Sequence, residues 1–273
     1  MILQHHIPSF PLNKYVDCIL YLNGNNKGAG LPKTSMSIMF NLNDYFKLFT
    51  DQSFSTFSDY KKYWVAGLQT KPNFVESYGQ SEMIVIQFKT IGASMFLNQP
   101  LHLFTGNFIC LDDVFNCEAE ATWIQLKESK TVREKFLVAE KFLFRRMVKL
   151  EQPNLELINS VNLLFENREQ VSIKNICRQY NISRKHLTHL FKMHAGVSPK
   201  LLSSLFRLKR TLYTLACFTP DKLTDLAYQE EYFDQAHFIN DFKSFTGLKP
   251  TAYLALLKDI PSMKIVPHFL PQV

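Results

Sequence analysis

One stretch of this chain occurs twice, about 51 residues apart, and that duplication limits what the C-terminal part can fold into. The first copy, ISRKHLTHLFKMHAGVSP, runs from Ile182 to Pro199; the second, FDQAHFINDFKSFTGLKP, runs from Phe233 to Pro250. Ser183 aligns with Asp234, His186 with His237, Leu187 with Phe238, Phe191-Lys192 with Phe242-Lys243, Gly196 with Gly247 and Pro199 with Pro250. Two copies are too few for a solenoid. They describe one small helical unit used twice.

Each copy opens on an N-cap residue, Ser183 or Asp234, whose side-chain oxygen accepts from the free N–H groups of the first turn. Leu187, Leu190 and Phe191 then share one apolar face, as do Phe238 and Phe242. The other face carries Arg184, Lys185, Thr188, His189 and Lys192 in the first copy, and Gln235, Ile239, Asn240 and Lys243 in the second. Gly196 and Gly247 suit a left-handed helix end, and Pro199 and Pro250 suit the start of the next helix. Upstream lie two short amphipathic runs, from Ile173 to Tyr180 and from Leu223 to Tyr228, with the small residues Cys177 and Ala227 where helices would cross. Short helix, tight turn and polar-faced helix make a helix-turn-helix, whose second helix enters the major groove of DNA.

Residues 155–258 resemble the DNA-binding domain of the AraC/XylS family of bacterial transcription regulators. The resemblance is carried by Phe233-Asp234-Gln235-Ala236-His237-Phe238, Phe242-Lys243, Phe245-Thr246-Gly247 and Pro250. It implies base reading by Lys185, Thr188 and His189 in the first unit and by Gln235, Ala236, Ile239 and Asn240 in the second. Side-chain chemistry agrees: Gln and Asn pair with adenine, Lys favours guanine acceptors, and Ala or Ile can touch a thymine methyl. Arg184, His186, Lys192, His237 and Lys243 are the phosphate candidates, with internal hydrogen bonding as the alternative role of both histidines. The family usually has glycine where this chain has Glu231, so either the turn relaxes or Glu231 takes up strain. The resemblance also implies a long helix from Pro199 to about Phe218, holding both reading helices on one side of a duplex, about 34 Å or ~10 bp apart. Arg207, Lys209 and Arg210 on that helix face either phosphate or solvent.

The chain has 273 residues, enough for a second domain. Its net charge of +7 is uneven. Residues 1–152 carry 16 Lys+Arg against 14 Asp+Glu, and residues 153–258 carry 14 against 9, as a phosphate-facing half would. Five scattered cysteines without a CxxC pair suit free thiols in a reducing compartment, so a cytoplasmic protein is expected. The N-terminus lacks the pattern of a signal peptide, and no apolar run would cross a membrane.

In residues 10–125, Met36, Ile38, Phe40 and Leu42 alternate with Ser35, Ser37, Met39 and Asn41 as a strand does, Met83–Phe88 is a strand-like run rich in β-branched residues, and Tyr63–Gly67 is a third candidate, with turn signals at Asn23-Gly24-Asn25-Asn26, Lys71-Pro72-Asn73 and Tyr78-Gly79-Gln80. The fold expected is α+β: a β-rich N-terminal domain, with a small barrel as one form open to it, then a linker helix and an all-α domain with two helix-turn-helix units. The expected divisions are 1–130, 131–154, 155–258 and a tail, 259–273, that is either disordered or a strap over the β domain. Tyr15-Val16, Leu31-Pro32, Phe40-Asn41-Leu42, Ala66 to Pro72, and Gln87-Phe88 through Gly92-Ala93 are similar to a domain of unknown function found ahead of AraC-type domains. Phe40, Tyr63, Trp64 and Phe88 are candidates for a small-effector pocket or for plain core. The helical run 131–150 either pairs two chains into a homodimer or packs on its own domain. No catalytic motif and no recognised metal-ligand spacing occurs, so neither metal nor cofactor is expected. The partners expected are double-stranded DNA and, as candidates, RNA polymerase and a small effector. The competing reading is an enzyme whose β domain is catalytic and whose helical part only localises it.

Overall fold

The computed structural model describes residues 2–271 apart from 44–45, 50, 78–80, 148–152, 167–171, 219–222, 261–262 and 264–265. The turn signal Tyr78-Gly79-Gln80, Leu150 and the linker residues Glu151 and Gln152 therefore lie outside the described residues.

The N-terminal half forms two antiparallel sheets. The first has the order β1 (Ile2–His6), β2 (Val16–Asn23), β9 (Glu82–Phe88), β4 (Ser37–Asn41), β7 (Tyr63–Ala66), β10 (Phe108–Cys110). The second runs β11 (Phe269–Pro271), β3 (Lys27–Gly30), β8 (Asn73–Ser77), β5 (Phe46–Phe49), β6 (Phe57–Tyr60). The three strands expected from the sequence are β4, β7 and β9, adjacent in the middle of the first sheet. The β-rich domain is two open sheets and not a closed barrel. They face each other across a small core in which Phe46 of one stacks on Trp64 of the other at 5.2 Å. The opposite face of the first sheet carries the main core and is covered by helices, where Phe40 meets Phe142 edge-on. Burial on both faces is why the central strands are apolar almost throughout, which leaves less alternation to read.

Two helices cover that sheet, α2 (Cys117–Glu128) and α3 (Val132–Arg146), following the short α1 (Asp112–Phe115). A capping box starts α3: the Thr131 hydroxyl accepts from Glu134 N–H, and the Glu134 carboxylate accepts from Thr131 N–H. Phe136, Ala139, Phe142 and Leu143 pack inward, so α3 rests on its own domain while Leu137 and Phe144 stay exposed. Lys135 is buried despite its charge; its ammonium donates to the Leu126 and Ser129 carbonyls that end α2.

The C-terminal half is helical: α4 (Pro153–Glu166), α5 (Ile173–Gln179), α6 (Arg184–Ala195), α7 (Pro199–Cys217), α8 (Leu223–Gln229), α9 (Gln235–Thr246) and α10 (Pro250–Asp259). Pro153 and Asn154, read as linker, open α4, because proline is tolerated in a helix's first turn. The tail is a strap. After α10 the chain returns to the β domain, where β11 pairs with β3 and Leu31 N–H donates to the His268 carbonyl at 2.8 Å. The Tyr253 hydroxyl of α10 donates to the adjacent Pro267 carbonyl, tying the strap back to the helix it leaves.

Burial pushes the pKa of His268 down to about 3, with Lys33 adding to the effect. The unfolded chain takes up a proton at this residue near pH 6.5. Between those values the unfolded state binds more protons, so acidification removes stability, by up to about 1.4 kcal/mol per pH unit from this group. The unfolding midpoint of the wild type is expected to fall more steeply from pH 7 to pH 5 than that of His268→Gln. Parallel slopes would show that another group carries the effect.

Candidate nucleic-acid interface

The two units repeat in atomic detail. The Ser183 hydroxyl accepts from His186 N–H at 3.1 Å, and the Asp234 carboxylate accepts from His237 N–H at 2.7 Å. Each cap contributes about 1 kcal/mol. At the far ends, Gly196 and Gly247 take left-handed conformations, φ 84° and 75°. The turns before the caps also match. Asn181 and Glu231 have φ 49° and 61°, and the next N–H in each, Ile182 or Tyr232, donates back to Cys177 or Ala227 at 2.9 Å. Glu231 thus keeps the turn and bears the strain. Glu231→Gly is expected to raise stability by about 1 kcal/mol in denaturant titration. An unchanged or lower midpoint would show that its side chain repays the strain.

The outward faces of α6 and α9 are open. Lys185 and His189 are exposed and Thr188 half-buried; Gln235, Ala236 and Asn240 are exposed and Ile239 half-buried, its inner side against the core. Of the phosphate candidates, Arg184, His186, Lys192 and Lys243 are exposed and form no ion pair among the described residues. His237, also exposed, makes contacts within its own unit. Its Nδ1 accepts from Phe233 N–H at 3.5 Å, and its Nε2 lies 4.0 Å from the Asp241 carboxylate.

The three α7 cations Arg207, Lys209 and Arg210 are half-buried. The Arg210 guanidinium bonds to the buried Glu230 carboxylate and to the Phe165 carbonyl, both at 2.9 Å. Arg207 stacks over the Tyr232 ring and lies 3.7 Å from Asp241. Two arginines therefore bind the second unit to the long helix. Sequence reading missed this, although the acidic excess of the second unit called for cations from elsewhere. Lys209 borders a cavity.

That cavity, of about 950 Å³, lies between β2, the end of β9, α4, α7 and the tail strap. Lys14, Lys33, Lys89 and Lys209 line it, against one carboxylate, Asp17. Lys33 opens into it, yet the surrounding protein holds its ammonium below the usual lysine range. Burial pushes the neighbouring Cys18 thiol up to about 11. These residues are far apart in sequence, so no local pattern announced them. The aromatic candidates do not line one pocket. Tyr63 and Trp64 are consecutive on β7 and point to opposite faces of the sheet. Phe40, Tyr63 and Trp64 are packed core, and Phe88 alone of the four also borders the cavity.

The C-terminal end of α6 touches the β domain: the Thr105 hydroxyl donates to the Gly196 carbonyl at 2.8 Å. The N-terminal end of α6, with Arg184, Lys185 and His189, remains exposed.

Comparison with known proteins agrees with this geometry. Residues 176–255 match a helix-turn-helix domain family, and residues 4–109 match a domain of unknown function, DUF6597. Over 104 residues the chain is 33% identical to the raffinose operon transcriptional regulatory protein RafR of Pediococcus pentosaceus, an overlap of 38% of this chain and 36% of that protein. The chain thus spans about a third of the length of this curated relative. Similar solved structures include ToxT from Vibrio cholerae at 1.65 Å resolution, 12% identical with a TM-score of 0.47, covering 93% of this chain and 98% of that one. Another is wild-type ToxT from Vibrio cholerae with bound unsaturated fatty acid, 15% identical with a TM-score of 0.48, covering 91% and 98%. The chain thus carries a region matching the helix-turn-helix domain family at its C-terminal end, behind a region matching DUF6597.

Proposed function

We propose that the protein is a sequence-specific DNA-binding transcription regulator working in the cytoplasm. Residues 155–258 contact DNA, and the β-rich half with α2 and α3 senses or oligomerises. One observation carries the reading: two recognition helices with matching caps and turns, each with its reading face open. In this reading Lys185, Thr188 and His189, then Gln235, Ala236, Ile239 and Asn240, meet base edges. Arg184, His186, Lys192 and Lys243 meet phosphate, and His237 orders the second turn. Binding of the full chain to duplexes selected from random sequence, followed across salt concentrations, tests this. Affinity is expected to fall steeply with salt as counterions are released. Failure to enrich any sequence would refute it.

The cavity supports control by a small effector. Four lysines against one aspartate favour an acidic ligand, and the volume suits one of drug-like size. Because α7 forms one wall, such a ligand would act directly on the helix that joins the two reading units. A ligand at a hundred times its Kd is expected to stabilise the folded chain by about 2.7 kcal/mol. Lys33→Met should remove that shift. The exposed Leu137 and Phe144 on α3 support a homodimer, which sedimentation of the purified chain would test. RNA polymerase is the partner such a regulator would recruit.

A further inference from the structure

The two units are built alike and charged oppositely. From Ile173 to Ala195 the first carries Lys174, Arg178, Arg184, Lys185 and Lys192 and no carboxylate. All five cations are exposed. From Leu223 to Thr246 the second carries Asp225, Glu230, Glu231, Asp234 and Asp241 and a single cation, Lys243. Glu230 and Asp241 are matched by Arg210 and Arg207 of α7. Asp225, Glu231 and Asp234 remain exposed. Such a surface gains little from phosphate.

The reading positions differ in the same sense. In the sequence register, Arg184 of the first unit faces Gln235 of the second, Lys185 faces Ala236, Thr188 faces Ile239 and His189 faces Asn240. The turns add one more difference. A single residue, Ile182, separates the left-handed Asn181 from the cap in the first unit, whereas Tyr232 and Phe233 separate Glu231 from the cap in the second. In the first unit Ile182 precedes the cap and packs inward against the core, the position of a hydrophobic staple. In the second, Tyr232 takes that role against Phe238, at 5.2 Å between rings. Phe233 is left outside, 86% exposed, immediately before the helix that would enter the groove.

We propose that the units divide the work on DNA: the first supplies most of the phosphate grip, and the second reads thymine methyl groups through Phe233, Ala236 and Ile239. The inference rests on the DNA-binding reading above. The thymine C5-methyl is the one apolar group that a base pair shows in the major groove, so an apolar recognition edge has one natural target there. Asn240 and Gln235 beside it suit the adenines opposite those thymines. The half-site under α9 is therefore A·T-rich, and the half-site under α6 is not so restricted.

The test uses the full chain and its selected duplex. Deoxyuridine, which lacks only the methyl group, replaces each thymidine in turn. Under α9 each replacement is expected to weaken binding about fourfold, the value of one buried methyl. Under α6 no such effect is expected. Phe233→Ser should weaken binding to the thymidine duplex and reduce the deoxyuridine effect next to it. Removing Arg178, Arg184 or Lys192 should each lower the salt slope by about 0.9. Lys243→Ala, which removes the one cation of the second unit, should lower it by no more than one such step. Equal methyl effects in both half-sites, a half-site under α9 without thymine, or an unaltered response in Phe233→Ser would overturn the proposal. In the last case the exposed edge would serve a protein contact. A chain that bound no DNA at all would refute the DNA-binding reading instead.

Discussion

Arg210→Ala is expected to lower the stability of the helical half by about 3–5 kcal/mol, the cost of leaving a buried charge without its partner. Glu230 has no solvent exposure, and the Arg210 side chain retains 13%. The same guanidinium also accounts for the Phe165 carbonyl at the end of α4. One side chain on α7 thus joins the end of α4 to the residue that follows α8, and its loss removes a hydrogen bond from a buried acceptor at each. Burial of an ion pair is seldom a net gain over apolar packing, so the double variant Arg210→Met with Glu230→Leu should recover much of the loss. Denaturant titration of wild type, single and double variants measures this. A single variant within about 1 kcal/mol of wild type would show that water reaches Glu230 and that the pair does not hold the units together.

Lys185→Ala and Asn240→Ala are each expected to cost about 1–3 kcal/mol on the selected site and to relax base choice beneath them, with folding unchanged. Both side chains are exposed on reading faces that are otherwise fixed by buried Leu187, Leu190 and Phe191, or by Phe238 and Phe242. Removing them empties no core. The two losses should differ in kind. Asn240→Ala removes a bidentate partner for adenine and should leave the salt slope alone. Lys185→Ala removes a charge as well, so part of its loss should disappear in high salt. Equal loss on every sequence tested would show that neither residue reads a base.

The repeated units were legible because they are local. A cap, an apolar face and a glycine lie within eighteen residues, and each has its own backbone requirement. At Glu231 the family's usual glycine left two outcomes open, a relaxed turn or strain, and the positive φ is the second. What the sequence left hidden depends on distant pairing. β11 joins the second sheet from the far end of the chain, next to β3, and its three residues carry no alternation. The open two-sheet arrangement could not be told from a barrel, because strand periodicity is the same in both. Tyr63 and Trp64 show the limit within one strand. Both are aromatic and buried, but parity sends them into different cores. The roles of Arg207 and Arg210 were equally hidden, since their acidic partners lie twenty or more residues away on other helices.

The most direct test of the central claim is a hydroxyl-radical footprint of the full chain on its selected duplex. Two protected patches are expected on one face of the DNA, centred about one helical turn or ~10 bp apart, one lost in Lys185→Ala and the other in Asn240→Ala. A single patch, or two on opposite faces, would contradict the account, because α6 and α9 would then not engage one duplex together.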